Sequence, residues 1–139
     1  MLRPDVAIPK LKLPESIRKA KKVAARESSI KNGCMNIARD FFKKGAPVKA
    51  VKMPGSRYGE KNTPDIHLSI AGHSCWVELK RPGEEPTPGQ YKKLDDWEKI
   101  GCTVAWMDSR KAFHVFITKV LRKMGWMEHP NLGWVKSSV

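Results

Sequence analysis

Two short strand-like runs joined by a tight turn constrain the fold of this chain most strongly. Asp65–Ile70 and Ser74–Lys80 alternate apolar and polar side chains, and Ala71-Gly72-His73 separates them. This pattern is typical of a β-hairpin. Because successive side chains of a strand point to opposite faces of the sheet, the second run has two distinct faces. One face carries Trp76, Glu78 and Lys80, and the other carries Cys75, Val77 and Leu79.

The register of this hairpin depends on which residues form its turn. A turn at Ala71-Gly72 pairs Asp65 with Glu78, whereas a turn at Gly72-His73 pairs Asp65 with Lys80. Either register leaves both acids and the lysine on one face. Directly opposed carboxylates repel each other, so this face indicates a bound divalent cation. Mg²⁺ takes oxygen ligands and keeps waters for a phosphate substrate. Beside such a cation, Lys80 is placed to orient or deprotonate an attacking water, or to stabilise charge on the phosphate.

The charge balance indicates a polyanionic partner. The 139 residues contain 27 Lys and Arg against 14 Asp and Glu, which gives a formal net charge of +13. DNA or RNA is the simplest partner for such a chain. The length fits one domain, and an apolar share of 40% argues against wholesale disorder.

Other function classes are disfavoured by what the sequence lacks. Its three Cys form no CxxC pair, so we expect neither a disulfide framework nor a zinc site. No apolar run approaches the roughly 18 residues that a membrane span needs. The N-terminus has no apolar segment of the secretory type. We therefore expect a cytoplasmic protein without a membrane partner.

Periodicity and stop signals predict the remaining elements. Residues 1–22 are interpreted as a basic N-terminal arm, and residues 23–139 as a single domain. The run Cys102–Met107 is nearly continuously apolar, which predicts a strand buried on both faces. The predicted order is αβββαβ with a C-terminal helix, an α/β fold with a small mixed sheet flanked by helices. The further elements are a helix over about Glu27–Lys44, a strand over Ala46–Met53, a helix that begins at a Thr87–Gln90 capping box, and a helix over about Arg110–Met124.

The acids and the lysine of the hairpin resemble a known nuclease motif. Pro64-Asp65, followed by Glu78-Leu79-Lys80 on the next strand, resembles the PD-(D/E)XK motif. The ordered set over about residues 27–107 resembles the VRR-NUC (virus-type replication-repair nuclease) domain of that superfamily, in its stand-alone phage and bacterial form. Three further features contribute to this resemblance: Glu27 at the opening of the first helix, Gly55 and Gly59 in the loop before the Pro-Asp, and Gln90 at the opening of the helix after the lysine.

The resemblance implies a restriction-endonuclease-like core and an endodeoxyribonuclease that depends on Mg²⁺ or Mn²⁺. It implies a homodimer similar to Holliday-junction resolvases, acting on branched DNA in a bacterial or phage-infected cytoplasm. The implied metal ligands are Glu27, Asp65, Glu78 and the Leu79 backbone carbonyl. The implied catalytic residues are Asp65, Glu78 and Lys80, with Gln90 supporting the site.

Basic and aromatic residues near the hairpin are candidates for contacts to DNA. Phosphate contacts fix the position of DNA without reading its sequence, and a Tyr in a basic loop is suited to base stacking. For a dimer surface, Trp126, Trp134 and the last helix are the apolar candidates. The candidate DNA contacts are Arg57, Tyr58, Lys61, Arg81, Lys92 and Lys93.

Alternative interpretations remain open for the chain and for its residues. The chain could be a non-catalytic, basic nucleic-acid-binding protein whose acids form only ion pairs, or a nuclease subunit directed to flaps or ends. Asp65 could be a turn residue. Glu78 and Lys80 could form a solvated strand face. Glu27 could simply favour the helix dipole, and the capping box alone would explain Gln90.

Overall fold

A computed structural model describes the backbone of residues 15–55 and 59–137, and the side chains of these ranges from residue 28 onward. The predicted α/β order is confirmed, and a C-terminal hairpin follows it. The elements are α1 (Glu15–Lys43), β1 (Val48–Lys52), β2 (Ile66–Ile70), β3 (His73–Leu79), α2 (Pro88–Lys99), β4 (Thr103–Met107), α3 (Arg110–Lys123), β5 (Trp126–His129) and β6 (Gly133–Lys136).

The main sheet is mixed, as predicted. Its strand order is β1-β2-β3-β4. The neighbours β1, β2 and β3 are antiparallel, whereas β3 and β4 are parallel. A parallel pair needs a crossover connection, and α2 provides it. The sheet therefore combines a meander with one βαβ unit.

The β2–β3 turn takes the first of the two predicted registers. Ala71 has a φ of 52° and Gly72 a φ of 79°. Both values lie in the left-handed region, which a two-residue type I′ turn requires. Ile66 pairs with Val77, so the preceding Asp65 lies opposite Glu78. The hairpin thus brings the two acids face to face.

The two faces of the sheet have different coverings. On one face, α1 and α3 pack with the inward side chains of β2 and β3 into the main core. On the other face, α2 lies against β3 and β4, and Trp97 stacks on Trp76 with ring centroids 4.5 Å apart. The buried residues that form the centre of the core include Cys34, Phe41, Ile66, Leu68, Ile70, Cys75, Val77, Phe113, Ile117 and Leu121.

Two sequence-based expectations about the elements are wrong. The first helix begins at Glu15 rather than near Glu27, so α1 is longer than predicted at its N-terminal end. The strand β4 is not buried on both faces, because it lies at the edge of the sheet. Its Trp106 side chain is 39% exposed. An apolar run identifies a strand, but the sheet order decides how much of that strand is covered.

The C-terminal segment folds into the β5–β6 hairpin, which the sequence analysis did not anticipate. Trp134 is buried against Phe41, and its backbone N–H donates to the carbonyl of Lys44 at 2.7 Å. Gly133 has a φ of 76°, and a Cβ there would lie 2.2 Å from the Lys44 carbonyl oxygen. Trp134 is therefore a core residue rather than a dimer-surface candidate. Within the described ranges, no helix has the length and apolar character that a membrane crossing requires.

Candidate active site

Asp65 is fixed in place by two backbone contacts at the start of β2. Its carboxylate Oδ2 accepts a hydrogen bond from the Leu79 N–H at 2.8 Å. Its backbone carbonyl accepts one from the Met53 N–H at 2.8 Å. The side chain thus bridges two neighbouring strands and presents its second oxygen to the cavity. An ordinary turn residue needs none of these long-range contacts.

Glu78 is a buried acid at the end of β3. It is 3% exposed, and it is the one buried charged residue in the part of the chain that the structure describes. Its Oε1 atom lies 3.9 Å from the Lys80 ammonium. Its Oε2 atom is buried and has no hydrogen-bond partner among the described residues. A buried polar atom without a partner is costly, so this oxygen is a candidate acceptor for a bound ligand.

The surroundings of Glu78 strongly favour its protonated form. Burial is the largest cause, followed by the facing carboxylate of Asp65. The nearby ammonium groups of Lys80 and Lys31 oppose this effect. The net effect of burial and of these charges is to raise the pKa of Glu78 from 4.5 to about 8. A bound cation would reverse the balance, because it stabilises the ionised form of both acids.

Gln90 serves the helix and the acid at the same time. Its backbone N–H donates to the Thr87 hydroxyl at 3.3 Å, and its side-chain oxygen accepts from the Thr87 N–H at 3.0 Å. These two bonds form the predicted capping box. The Nε2 atom of Gln90 remains available and donates to Glu78 Oε1 at 3.2 Å. The predicted capping box is thus present, and the same side chain also contacts Glu78.

Lys31 is a site residue that the sequence analysis missed. Its ammonium lies 3.3 Å from Asp65 Oδ1. It stands on α1, four residues after Glu27, and positions i and i+4 share one helical face. That spacing is the signal that would have identified it, given the role implied for Glu27. The side chain of Glu27 itself lies outside the described residues.

These side chains surround a small cavity at the carboxyl end of β3. Its volume is about 140 Å³, and Ile30 and Leu79 complete its wall. A second cavity of about 240 Å³ adjoins it and shares Lys31, Asp65 and Glu78 with it. The loop between β1 and β2 lines this outer space. The site therefore opens outward past the loop that precedes Pro64-Asp65.

The donor set fits a hard divalent cation. The described residues contain no cluster of three or more His, Cys, Asp and Glu side chains that could hold a metal. They do supply two facing carboxylates, one with a buried oxygen that lacks a partner. Mg²⁺ is commonly bound by one or two carboxylates together with waters and substrate phosphates. Asp65 and Glu78 satisfy that requirement, and Leu79 lines the same cavity.

The candidate DNA contacts fall into three groups. Arg57 and Tyr58 lie outside the described residues. Lys61 is exposed and lines the outer cavity. The remaining three pair with acids: Lys92 with Asp96 at 2.7 Å, Lys93 with Glu60, and Arg81 with Glu84.

Two solved structures share this fold. One, described as "VRR_NUC domain", matches with a TM-score of 0.50 and 21% identity over 67% of this chain and 95% of that chain. The other, "VRR_NUC domain protein", has a TM-score of 0.57 and 17% identity over 69% of this chain and 88% of that chain. Neither a protein-family model nor a curated protein matches the chain. The chain has the fold of VRR-NUC domains, as its motif predicts.

Proposed function

We propose that this protein is a metal-dependent endonuclease that hydrolyses phosphodiester bonds in branched DNA. The buried Glu78 carboxylate carries the proposal. One of its oxygens has no partner among the described residues, and it faces Asp65 across the hairpin. A fold selected only for stability would place an apolar side chain there. We infer that the two facing acids are there to bind a cation.

Asp65 and Glu78 are the proposed ligands of Mg²⁺ or Mn²⁺. The Leu79 carbonyl and Glu27 complete the set that the VRR-NUC resemblance implies. A divalent cation at this position supplies Lewis-acid activation of the scissile phosphate and of the attacking water. Gln90 holds one oxygen of Glu78, and the Leu79 N–H holds one oxygen of Asp65. The ligand atoms are therefore oriented before any substrate arrives.

Lys80 is the proposed catalytic lysine. Its side chain is 15% exposed and its ammonium lies 3.9 Å from Glu78 Oε1. From that position it can orient or deprotonate the attacking water, or stabilise charge on the phosphate oxygens. Lys31 places a second ammonium at the same cavity. Both cations suit a polyanionic substrate.

The charge of the chain and the twofold symmetry of a four-way junction support a branched DNA substrate and a homodimer. The net charge of +13 favours phosphate contacts, which position DNA without reading its sequence. A four-way junction presents pairs of strands related by a twofold axis. One site in each chain of a C2 dimer can address both strands of such a pair.

A non-catalytic nucleic-acid-binding protein is the second candidate function. The ion pairs between Lys31 and Asp65 and between Lys80 and Glu78 favour it, because they give both acids a partner without any metal. The unpartnered oxygen of Glu78 argues against it. A flap- or end-directed nuclease shares the whole site and differs only in substrate.

Cleavage of labelled DNA tests these functions directly. A four-way junction, a flap and a linear duplex of matched sequence are incubated with the wild type and Lys80→Ala in Mg²⁺, Mn²⁺ or EDTA. We expect metal-dependent cutting of the junction that falls at least about 100-fold in the variant while binding is retained. Lys99→Ala is the control, since this exposed lysine pairs with Asp95 on α2, away from the cavity.

Each outcome assigns the chain to one candidate. Symmetric cuts across opposite arms support a dimeric junction nuclease. Preference for the flap or for ends assigns the third candidate. Binding without cutting under every metal condition overturns the nuclease and leaves the binding protein, in which Lys80→Ala and another phosphate-contacting lysine variant lose affinity equally.

A further inference from the structure

A groove between α1 and β1 lies apart from the cavity that holds the two acids. Its volume is about 490 Å³. Met35, Ala38 and Phe42 line it from α1, at the spacing of a single helical face. Val48 and Val51 line it from β1, which is an edge strand. The Phe42 ring is 69% exposed, which is unusual for an aromatic side chain without a ligand.

The rim of the groove is basic, and no acid of the described residues pairs with it. Arg39 and Lys43 stand on its helix side, and Lys49 and Lys52 stand on its strand side. Within the described ranges, none of these four cations forms an ion pair with a carboxylate; Arg39 and Lys52 contact asparagine side chains instead. The lysines of α2 differ, because Lys92, Lys93 and Lys99 all pair with acids. The groove therefore offers free positive charge over an apolar floor.

The groove leads towards the site. Lys52, at the end of β1, donates a hydrogen bond to Asn32 at 3.3 Å. Asn32 follows Lys31, which contacts Asp65. After Lys52 the chain continues through Met53 and Pro54, which line the outer cavity of the site. The Lys52 end of the groove therefore lies close to Lys31 and Asp65.

We propose that this groove binds a single strand of nucleic acid and guides it to the active site. The proposal deepens the proposed function and rests on it, since it names the strand that the nuclease holds. Phosphates of the strand contact the four rim cations, and an unpaired base stacks on Phe42. Substrates with a single-stranded segment at the branch are then preferred over fully paired ones.

The combination of floor and rim distinguishes a single strand from other occupants. A duplex offers phosphates to the rim, but its bases are stacked within the helix and leave Phe42 without a partner. Base stacking on an aromatic side chain requires an unpaired base and is tolerant of sequence. A second copy of this chain is disfavoured because both surfaces would be basic. An acidic peptide satisfies the rim, but it supplies no ring for Phe42.

Anisotropy measurements on short DNA test this inference. A labelled oligothymidine and a labelled duplex of equal length are titrated in EDTA with the wild type, Phe42→Ala and Phe42→Tyr. We expect Phe42→Ala to weaken single-strand binding about fivefold or more and duplex binding less than about twofold. Phe42→Tyr retains single-strand binding within about twofold. Because Phe42 is largely exposed, its removal leaves the core intact, and a melting curve verifies this.

A charge-matched pair of double variants tests the rim. Lys43→Ala with Lys49→Ala removes two rim cations, and Lys111→Ala with Lys119→Ala removes two exposed lysines of α3. We expect the rim pair to weaken single-strand binding about tenfold and to reduce its salt dependence. The α3 pair has a smaller effect.

Two results would overturn the proposal that the groove binds a single strand. One is a Phe42→Ala variant that affects single strand and duplex equally, or neither. The other is a polyglutamate peptide that competes as effectively as unlabelled oligothymidine, which assigns the groove to an acidic protein. These results are distinguishable from a failure of the proposed nuclease function. Single-strand binding that depends on Phe42, without any metal-dependent cleavage, supports the groove proposal and contradicts the nuclease. Metal-dependent cleavage, together with single-strand binding that does not depend on Phe42, supports the nuclease and contradicts the groove proposal.

Discussion

The two faces of β3 show how one strand can serve stability and chemistry at once. On the core face, Cys75 and Val77 are fully buried, in one cluster with apolar side chains from α1 and α3. On the other face, Glu78 is nearly as deeply buried, but it lies among charges and keeps an oxygen without a partner. The side chains are therefore similarly buried on the two faces, but the effect of burial on stability differs. Burial stabilises the apolar side chains and destabilises the ionised acid.

The largest expected effect comes from neutralising the acid on the site face. Glu78→Gln keeps the shape of the side chain and an acceptor for Gln90, but it removes the charge that would hold a cation. We expect cleavage to fall at least about 100-fold. In thermal melts, Mn²⁺ is expected to raise the Tm of the wild type and leave that of the variant unchanged. Wild-type cleavage in the variant would contradict the assignment of Glu78 as a ligand.

Although Glu78→Gln is expected to impair cleavage, it is expected to increase the stability of the metal-free protein. The pKa of Glu78 is about 8 in the folded protein and 4.5 ordinarily, so the folded state binds more protons between these values. The free energy of unfolding of the wild type in EDTA therefore falls as pH rises from about 5 to 8. Glu78→Gln lacks this loss and is expected to be more stable by on the order of 1 to 3 kcal/mol at pH 8. Urea unfolding at both pH values measures this gap, which should narrow towards pH 5.

The core face should give the converse result. Val77 is 0% exposed, and Val77→Ala removes apolar contacts without touching the acids. We expect a loss of about 2 kcal/mol in the free energy of unfolding, measured in urea. Cleavage well below the melting temperature should stay within about threefold of wild type. If Val77→Ala abolished cleavage in the folded protein, the two faces would not be separable.

The smallest expected effect concerns the cation beside Asp65. Lys31→Met removes the ammonium that lies 3.3 Å from Asp65 Oδ1 and would compete with a metal for that oxygen. Because this pair is partly exposed, we expect Mn²⁺ affinity to rise by about fivefold at most. Electron paramagnetic resonance of free Mn²⁺ measures it. Lys52→Met is the control, since Lys52 contacts Asn32 rather than an acid. Weaker Mn²⁺ binding in Lys31→Met would contradict this competition.

Local patterns predicted most of the elements and which residues of β3 share a face. Alternation along β3 separated Glu78 from Val77, since a strand repeats every two residues. The Thr87–Gln90 spacing predicted the capping box because its two hydrogen bonds lie within one helical turn. These features depend on neighbouring residues only. They could therefore be inferred without knowing how the elements pack.

The register of the hairpin and the order of the sheet were not predictable from these patterns. Shifting the hairpin turn by one residue moves the cross-strand partner of each residue by two positions, and both partners lie on the same face of the sheet. Alternation therefore could not decide whether Glu78 or Lys80 lies opposite Asp65. The left-handed conformations of Ala71 and Gly72 made that choice. The exposure of Trp106 depends on the edge position of β4, and no local pattern records the sheet order.

The chemistry of the site divides in the same way. The sequence supplied the acids, the lysine and their common face, since these follow from the periodicity of one hairpin. The packing of α1 brought Lys31 to Asp65, and that of α2 brought Gln90 to Glu78. The burial that raises the pKa of Glu78 has the same origin. Charge interactions and desolvation act through space, so their magnitude is set by the three-dimensional arrangement of segments that lie far apart along the chain.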